Sequence, residues 1–550
     1  MRKLVNSVKN LAIIPAAGNP KLSLFPNTFD PLIPINGVPA IKYILDSLKK
    51  LNLAKIIIIL NEKDSKSKKF IEFLNEKNVI IKIAKNKFRG VGDSIYTAIE
   101  NLDVDVENII INLGDTIFKN QIQIDKDYIL VSNKSELESS NWDYILDDGK
   151  TIIKKPKQYE SGKITCGVYN FSDWRYLKRI FQEYKKGDEL SITDLLKKYT
   201  EKNKFKLIEE KNDWFDLGHL EGYYSAKISF LRKRGFNRLQ YDPFKGSITK
   251  RSTNHQKILQ EVNWYINLPD SIKIFSPRLI DYNLNKEDAY YSIEFYGYPS
   301  LGDLFLYGNL SEEHWFSIFK KIFNFILHLK NNYSVELPKK NYIKIYVEKT
   351  IERLNSLRKD VFFNELLNFN KITVNGKNYD NLPNKINLNH LNRVLEQIFE
   401  GSNSSIMHGD LCFSNILYDI YSGLMKLIDP RGGFGTTNIF GDLNYDLAKL
   451  RHSIHGNYEA IISDLFNIQN KNNNFNYSMF NNSDTKIIAE FDLLLKENNF
   501  NIELVKYIEG LLFLTMIPLH SDSFERQKMM YIRSVELFNE IKGDYFENCN

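Results

Sequence analysis

The chain has 550 residues, 43% of them apolar and 26% charged, which is the composition of an ordinary globular protein and too long for a single core. Its 74 basic and 68 acidic residues nearly cancel to +6, and no long block of one sign occurs; this argues against a nucleic-acid surface and leaves small anionic ligands compatible. Three widely spaced cysteines, Cys166, Cys412 and Cys549, exclude a disulfide framework and a thiolate zinc site and fit a reducing cytoplasm.

The opening "MRKLVNSVKNLAIIPAAG" has a basic start, but its apolar stretch is short and broken by Pro15, so it reads as a buried first strand and not as a signal peptide. From residue 11 to about 116, apolar runs alternate with amphipathic segments: "LAIIPAA", "AIKYILDSLKKL", "KIIIIL", "KKFIEFLNEK", "VIIKIA", "DSIYTAIENL", "NIIINLGD". Strand then helix, repeated, predicts a parallel sheet covered on both faces, with ligands beyond the carboxyl ends of its strands. The longest apolar run, "KIIIIL", is far short of the ~20 residues of a membrane span, so no membrane insertion is expected. After about residue 235 a few strand-like runs ("GSITKR", "YYSIEFY") lead into long helical stretches, which predicts a small sheet followed by a helical body. The boundary is placed at "LRKRGFNRLQYDPFKG", giving domains of 1–233 and 234–550. Asn-rich stretches at 367–390 and 467–484 read as long surface loops.

Phosphoryl transfer from ATP needs a carboxylate to orient a hydroxyl, oxygen ligands for magnesium and a cation on the phosphates. The second half offers them in order: Lys250 in "GSITKR", Glu261 on a helical segment where it can pair with that lysine, Asp410 and Asn415 in "HGDLCFSN", and Asp429 at the end of "MKLID". These motifs, with "GDLNYDLAKL" behind them, resemble the aminoglycoside phosphotransferase and choline kinase family over roughly residues 236–550. The resemblance implies a protein-kinase-like α+β fold with Asp410 as catalytic base, Asn415 and Asp429 as magnesium ligands, and Lys250, held by Glu261, on the phosphates. It makes "SIEFYGY" at 292–298, with Glu294, the hinge that meets adenine, and Asp442 and Asp446 supports of the catalytic loop. Cys412 reads as a small buried loop residue, and His452 and His455 as surface or capping residues.

In the first half, "AIIPAAGNPK" supplies small residues for a backbone approach to a triphosphate, Ala16, Ala17 and Gly18, and then a cation, Lys21, able to neutralise developing pyrophosphate charge. "DPLIPINGVPAIKYILDSL", "GVGDSI", "NLGDT", "TIIKKP" with "ITCGVYNF", and "WFDLGHLEGY" occur in the order of the sugar-phosphate and choline-phosphate nucleotidyltransferases, which residues 9–232 resemble. This implies a doubly wound, Rossmann-like α/β fold. It assigns Asp115 and Asp216 to magnesium, Gly92 and Asp93 to the nucleotide, Lys21 to catalysis, and Lys155 and Gly167 to the incoming phosphate ester. The sequence departs from the family pattern in its short first loop, Gly18-Asn-Pro-Lys21, and in Asp30, which stands where the family has lysine.

A kinase makes a phosphate ester and a nucleotidyltransferase consumes one, so the resemblance implies consecutive steps using ATP and then an NTP, most simply CTP, with Mg²⁺ at both sites. Fusions of this kind make CDP-activated headgroups for capsule or lipopolysaccharide decoration, with an alcohol or a choline-like amino alcohol as acceptor. A cytoplasmic enzyme is expected, and a homo-oligomer is compatible. Two alternatives stay open: a sugar kinase joined to an NDP-sugar pyrophosphorylase, and a regulatory protein with one pseudoenzyme half.

Overall fold

The computed structural model describes residues 10–546 apart from 52, 85–89, 103–105, 120–125, 134–141, 157–161, 184–189, 211–212, 232–236, 481–484 and 543–544. The chain divides into two compact units: Met1–Phe230 with Tyr307–Asn309, and Leu231–Leu306 with Leu310–Asn550. The expected boundary at 233/234 and the thiol of Cys549 lie outside the described residues.

In the first unit the four expected strands pair in parallel, side by side in the order Asn108–Asn112, Asn10–Ala16, Lys55–Leu60, Val79–Ile83. In the first three of these the apolar runs are buried, as a strand covered on both faces requires, whereas Val79–Ile83 lies at the edge with Ile80 and Ile83 exposed. Ile13 lies in register between Ile57 and Ile111, and all three join a core with Ile95 and Ile99 of the helix Val91–Ile99 and Leu177 and Ile180 of the helix Trp174–Glu183. Burying each such side chain contributes about 1.5–3 kcal/mol. The first strand sits between the second and the fourth, so the chain leaves it on both sides and opens a crevice at the carboxyl ends. Ala16 and the turn after Asn112 meet there.

The expected parallel sheet is only part of a nine-stranded mixed sheet. The long strand Lys163–Phe171 runs antiparallel to Asn108–Asn112, Tyr128–Ser132 and Tyr144–Ile145, and it extends the sheet on the side of the fourth strand. A separate two-stranded ribbon pairs Thr116–Phe118 with Trp214–Asp216, Thr116 opposite Asp216.

The second unit opens with an antiparallel sheet ordered Asn237–Asp242, Ser247–Ser252, Tyr290–Glu294, Leu279–Asn283, against which the helix His255–Asn267 packs. A helical body follows, centred on the wholly buried helix Leu443–Ile454 and on Ile502–Met516 and Phe524–Asn539. Among the described residues no helix is long and apolar enough to cross a membrane.

Over their described residues the two Asn-rich stretches are not long loops. Lys371–Val374, Lys377–Asp380, Phe466–Lys471 and Asn474–Met479 form one four-stranded sheet, in which Lys371–Val374 pairs in parallel with Asn474–Met479 across about a hundred residues of sequence. The physical reason is the turn chemistry: Asn375 and Gly376 take φ of 48° and 79°, the left-handed pair that closes a two-residue hairpin. Asn381, at the end of that hairpin, is buried and accepts a hydrogen bond from Tyr531 Oη at 2.8 Å.

Candidate functional site

In the first unit the ribbon register brings the acids together. Asp216 ends its strand opposite Thr116, one residue past Asp115, and the Leu217 amide donates to the Asp115 carbonyl at 2.8 Å. Both carboxylates converge on Gly218: a β-carbon built there would lie 3.1 Å from Asp216 Oδ1 and 3.3 Å from Asp115 Oδ2. Trp142 Nε1 donates to Asp216 Oδ2 at 2.9 Å, the Gly218 amide to Oδ1 at 2.9 Å, and His219 Nδ1 lies 3.2 Å from Oδ2. Burial alone would raise the Asp216 carboxyl, but the His219 bond and charge with these donors hold it below the usual range. Asp115 is raised by burial and by the charge of Asp216. Lys21 Nζ stands 3.6 Å from Asp115 Oδ2, and that carboxylate raises the lysine.

Two small residues of the first loop, Ala16 and Gly18, lie close to Gly114 and to Asp30. Ala16 packs so closely on Gly114 that a β-carbon there would come within 2.7 Å of its own, and a β-carbon on Gly18 would lie 3.9 Å from Asp30 Oδ2. Gly167, at φ +74°, has room for no side chain, because Thr116 Oγ1 would be 2.7 Å away. The contacts of Gly92 are to Leu190, whose carbonyl takes its amide proton at 2.9 Å; Asp93 lies beside it in the first helical turn. Lys155 is exposed and takes a left-handed φ of 35°; the Asp216 bond raises the His219 imidazole, and the Lys155 charge is close enough to oppose that rise. Every other non-glycine residue with positive φ among those described is an asparagine or an aspartate.

Asp30, noted in the sequence only as a departure, belongs to this group. Burial first, then Asp115, pushes its carboxyl up to about 7, with Lys21 opposing. Trp142 and His219 also went unassigned, although His219 stands three residues past Asp216 within a quoted motif. Among the described residues no three His, Cys, Asp or Glu side chains are placed to hold a metal ion by themselves. Two convergent carboxylates fit a hard, oxygen-preferring ion whose other ligands come from a triphosphate.

In the second unit Lys250, with its side chain 4% exposed, lies 3.0 Å from Glu261 Oε2 and 2.9 Å from Asp429 Oδ1. Adjacent strands and the packed helix explain the first pairing, and the left-handed φ of 54° at Asp429 turns its carboxylate back toward the lysine. Burial opposes the Lys250 charge, but Asp429 and Glu261 outweigh it and raise the ammonium. Asn415 Nδ2 donates to Asp410 O at 2.9 Å and to Oδ2 at 3.2 Å, so an amide oxygen is what this side chain could offer a cation. Asp429, half-exposed, could offer a carboxylate oxygen as well.

The loop around Asp410 is fixed from behind. Asp446 accepts from the His408 and Gly409 amides at 2.7 and 2.8 Å, and Asp442 caps the helix Leu443–Ile454 through the Asn444 amide. Burial holds the His408 imidazole down at about 4; it is neutral, accepting from the Asp410 amide on Nδ1 and donating from Nε2 to Ile428 O. The sequence missed Lys449, which is buried and 2.9 Å from Asp410 Oδ1 although it stands within the quoted "GDLNYDLAKL". Burial would raise Asp410; Lys449 reverses this and holds the carboxyl below its usual range.

Glu294 ends its strand with its carboxylate on Arg278 Nε at 3.2 Å and on the Tyr296 hydroxyl at 3.1 Å, so only its backbone remains for a hinge role. Cys412 is buried in the loop as expected, and His455 ends the helix. His452 is not at the surface: it is fully buried, 4.2 Å from the ring centres of both Tyr458 and Phe513.

Comparison with known proteins bears on the first unit. The chain is 30% identical over 213 residues to the bifunctional protein GlmU of Methanococcus maripaludis strain C5, covering 37% of this chain and 49% of that protein. It is 28% identical over 196 residues to a bifunctional sugar-1-phosphate nucleotidylyltransferase/acetyltransferase of Sulfurisphaera tokodaii, covering 34% and 46%. The chain thus spans about half the length of the curated relatives it matches. Among solved structures, a UDP-glucose pyrophosphorylase complexed with UDP-glucose aligns at 18% identity over 41% of this chain and 100% of its own, TM-score 0.36. The inositol-1-phosphate CTP transferase from T. maritima aligns at 15% over 42% and 99%, TM-score 0.34. Residues 24–233 match the nucleotidyl transferase family, and this part of the chain is a nucleotidyl transferase domain that resembles the sugar-phosphate nucleotidyltransferases.

Proposed function

We propose that the chain is a bifunctional enzyme, with residues 1–233 a nucleotidyltransferase and 234–550 a small-molecule kinase acting on an alcohol or amino alcohol. The observation that carries the kinase reading is that residues far apart in sequence assemble into two linked groups: Lys250 with Glu261 and Asp429, and Asp410 with Asn415 and Lys449. In the first step the acceptor hydroxyl oxygen bonds to the γ-phosphorus of ATP, the bond to the bridging oxygen breaks, ADP leaves, and Asp410 takes the hydroxyl proton. Lys250 steadies the phosphates. Asn415 and Asp429 would hold magnesium, which supplies charge neutralisation on the triphosphate.

In the second step a phosphate oxygen of the ester attacks the α-phosphorus of an NTP and pyrophosphate leaves. Asp115 and Asp216 would hold magnesium, Lys21 neutralises the leaving charge, Gly92 and Asp93 line the nucleotide side, and Lys155 holds the ester phosphate beside Gly167. CTP is favoured because the pairing of domains resembles cytidylyltransferase fusions, and the product is a CDP-linked headgroup for surface polysaccharide. Both nucleotides place the work in the cytoplasm. A second reading, a sugar kinase with an NDP-sugar pyrophosphorylase, is favoured by the names of the curated relatives. Mass spectrometry of products from ATP, CTP or UTP and a panel of alcohols, polyols and sugars tests both. Asp410→Asn is expected to abolish phosphorylation and to spare nucleotidyl transfer from a supplied ester; loss of both in a folded protein would sink the two-site reading.

A further inference from the structure

Beside Asp410 lies a cluster of cations that neither proposed step has used. Arg431 follows Asp429 by two residues; its amide donates to His408 O at 2.9 Å, and its side chain fills the space over Gly409, where a β-carbon would meet Arg431 Cβ at 2.7 Å. Its guanidinium donates to the Tyr445 hydroxyl at 3.0 Å. Lys349, at the start of the helix Lys349–Leu357, donates to the same hydroxyl at 3.5 Å. Tyr445 and Lys449 are four apart on the helix Leu443–Ile454, so one helical face presents both toward Asp410.

The charges do not balance. Lys449 is paired with Asp410, whose carboxyl the more distant Arg431 also helps to lower, but among the described residues neither Arg431 nor Lys349 makes a salt bridge, and both are half-buried. The polar partner they share is a neutral phenol, which burial would raise and the three cations instead draw down to about 8. Burial lowers the Lys349 ammonium, with Arg431 and Lys449 adding to it. Two partly desolvated cations that share one acid with Lys449 are costly unless a further anion completes them.

We infer that the acceptor of the kinase half carries, next to its hydroxyl, a fixed carboxylate or phosphate bound by Arg431 and Lys349 while Asp410 takes the hydroxyl proton. This rests on the kinase reading above and narrows it. A bare choline-like cation would face Arg431 and Lys349 with the wrong sign, whereas a guanidinium beside an ammonium suits a planar or tetrahedral oxyanion.

The test measures ADP release from MgATP with glycerate, glycerol phosphate, glycerol, ethanolamine and choline. An anionic alcohol is expected to be turned over and the last three are not; glycerate against glycerol phosphate separates the two anions. Arg431→Met and Lys349→Met should each raise the KM for that acceptor about tenfold to a hundredfold, the loss of one charge-assisted hydrogen bond, with the KM for ATP unchanged. Arg431→Lys should recover part of it, which a folding defect would not. Turnover of choline or glycerol ahead of both anions, abolished by Asp410→Asn, overturns the inference and leaves the kinase reading standing. So does an unchanged KM in both methionine variants. If MgATP binds yet no alcohol is turned over, glycerate and glycerol phosphate are titrated into MgADP-loaded protein: saturable binding weakened by Arg431→Met supports the inference, and no binding overturns it. If MgATP fails to raise the melting temperature and no ADP is released, the kinase reading itself falls.

Discussion

Replacing Lys250 with methionine keeps most of the side-chain volume and removes the charge that holds two acids. Glu261, fully buried, loses a partner at 3.0 Å, while half-exposed Asp429 can turn to water. At an effective dielectric constant of about 20, the lost Coulomb term with Glu261 is about 5 kcal/mol before desolvation. Lys257 Nζ, 3.7 Å from Glu261 Oε1 and half-exposed, recovers some of it. Breaking one side of a buried pair costs about 3–5 kcal/mol, and the lower end applies here. The double variant Lys250→Met/Glu261→Met removes the stranded acid and should regain most of the loss. The chain has five tryptophans, so replacing Trp142, Trp174 and Trp214 by phenylalanine leaves Trp264 and Trp315 to report urea unfolding of the second unit alone. A Lys250→Met loss under about 1 kcal/mol, or a double variant no more stable than the single one, would refute a buried ion pair at this position.

Other outcomes follow from the same geometry. Asp115→Ala and Asp216→Ala should each stop pyrophosphate release while ADP release continues; pyrophosphate near the wild-type rate in either would remove that residue from the site. Lys155→Ala should raise the KM for the phosphate ester about tenfold to a hundredfold and leave that for the NTP nearly unchanged; a change confined to the NTP would remove Lys155 from the ester site. Burial lowers buried His390 from 6.5 to about 4. The unfolded chain therefore binds more protons between these values, and stability falls as pH drops from about 6.5 to about 4, by about 3 kcal/mol at most. His390→Phe should flatten that part of a stability-against-pH curve, and an unaltered slope would show that the imidazole is not held neutral.

The parts of the fold that were legible are those whose signal is local. Isoleucine runs marked the parallel strands, and "HGDLCFSN" with "LID" marked a loop and a strand end that meet. Lys250, chosen more by order than by motif, does reach Glu261. What was missed depends on partners distant in sequence. Lys449 looks like any helical lysine until the fold brings it to Asp410, and Asp30 reads as a lost lysine until Asp115 and Lys21 surround it. The sheet at 371–380 and 466–479 was hidden by its asparagine content, since composition suggested loops while "VNGK" carried a hairpin signal. His452 was misplaced because polarity predicted exposure, whereas aromatic rings enclose it.

On the proposed ester-binding role, the left-handed backbone at Lys155 would set stability against activity at a single position. A side chain with a β-carbon at φ 35° costs on the order of 1 kcal/mol relative to glycine, and a long cation lacks the local hydrogen bond by which asparagine or aspartate offsets it. Selection for thermal resistance alone would therefore drift this site toward glycine or asparagine, and Lys155→Gly should melt above the parent while Lys155→Ala should not. Thermostabilised variants of this enzyme that acquire either residue here would be expected to gain heat tolerance at the expense of ester affinity.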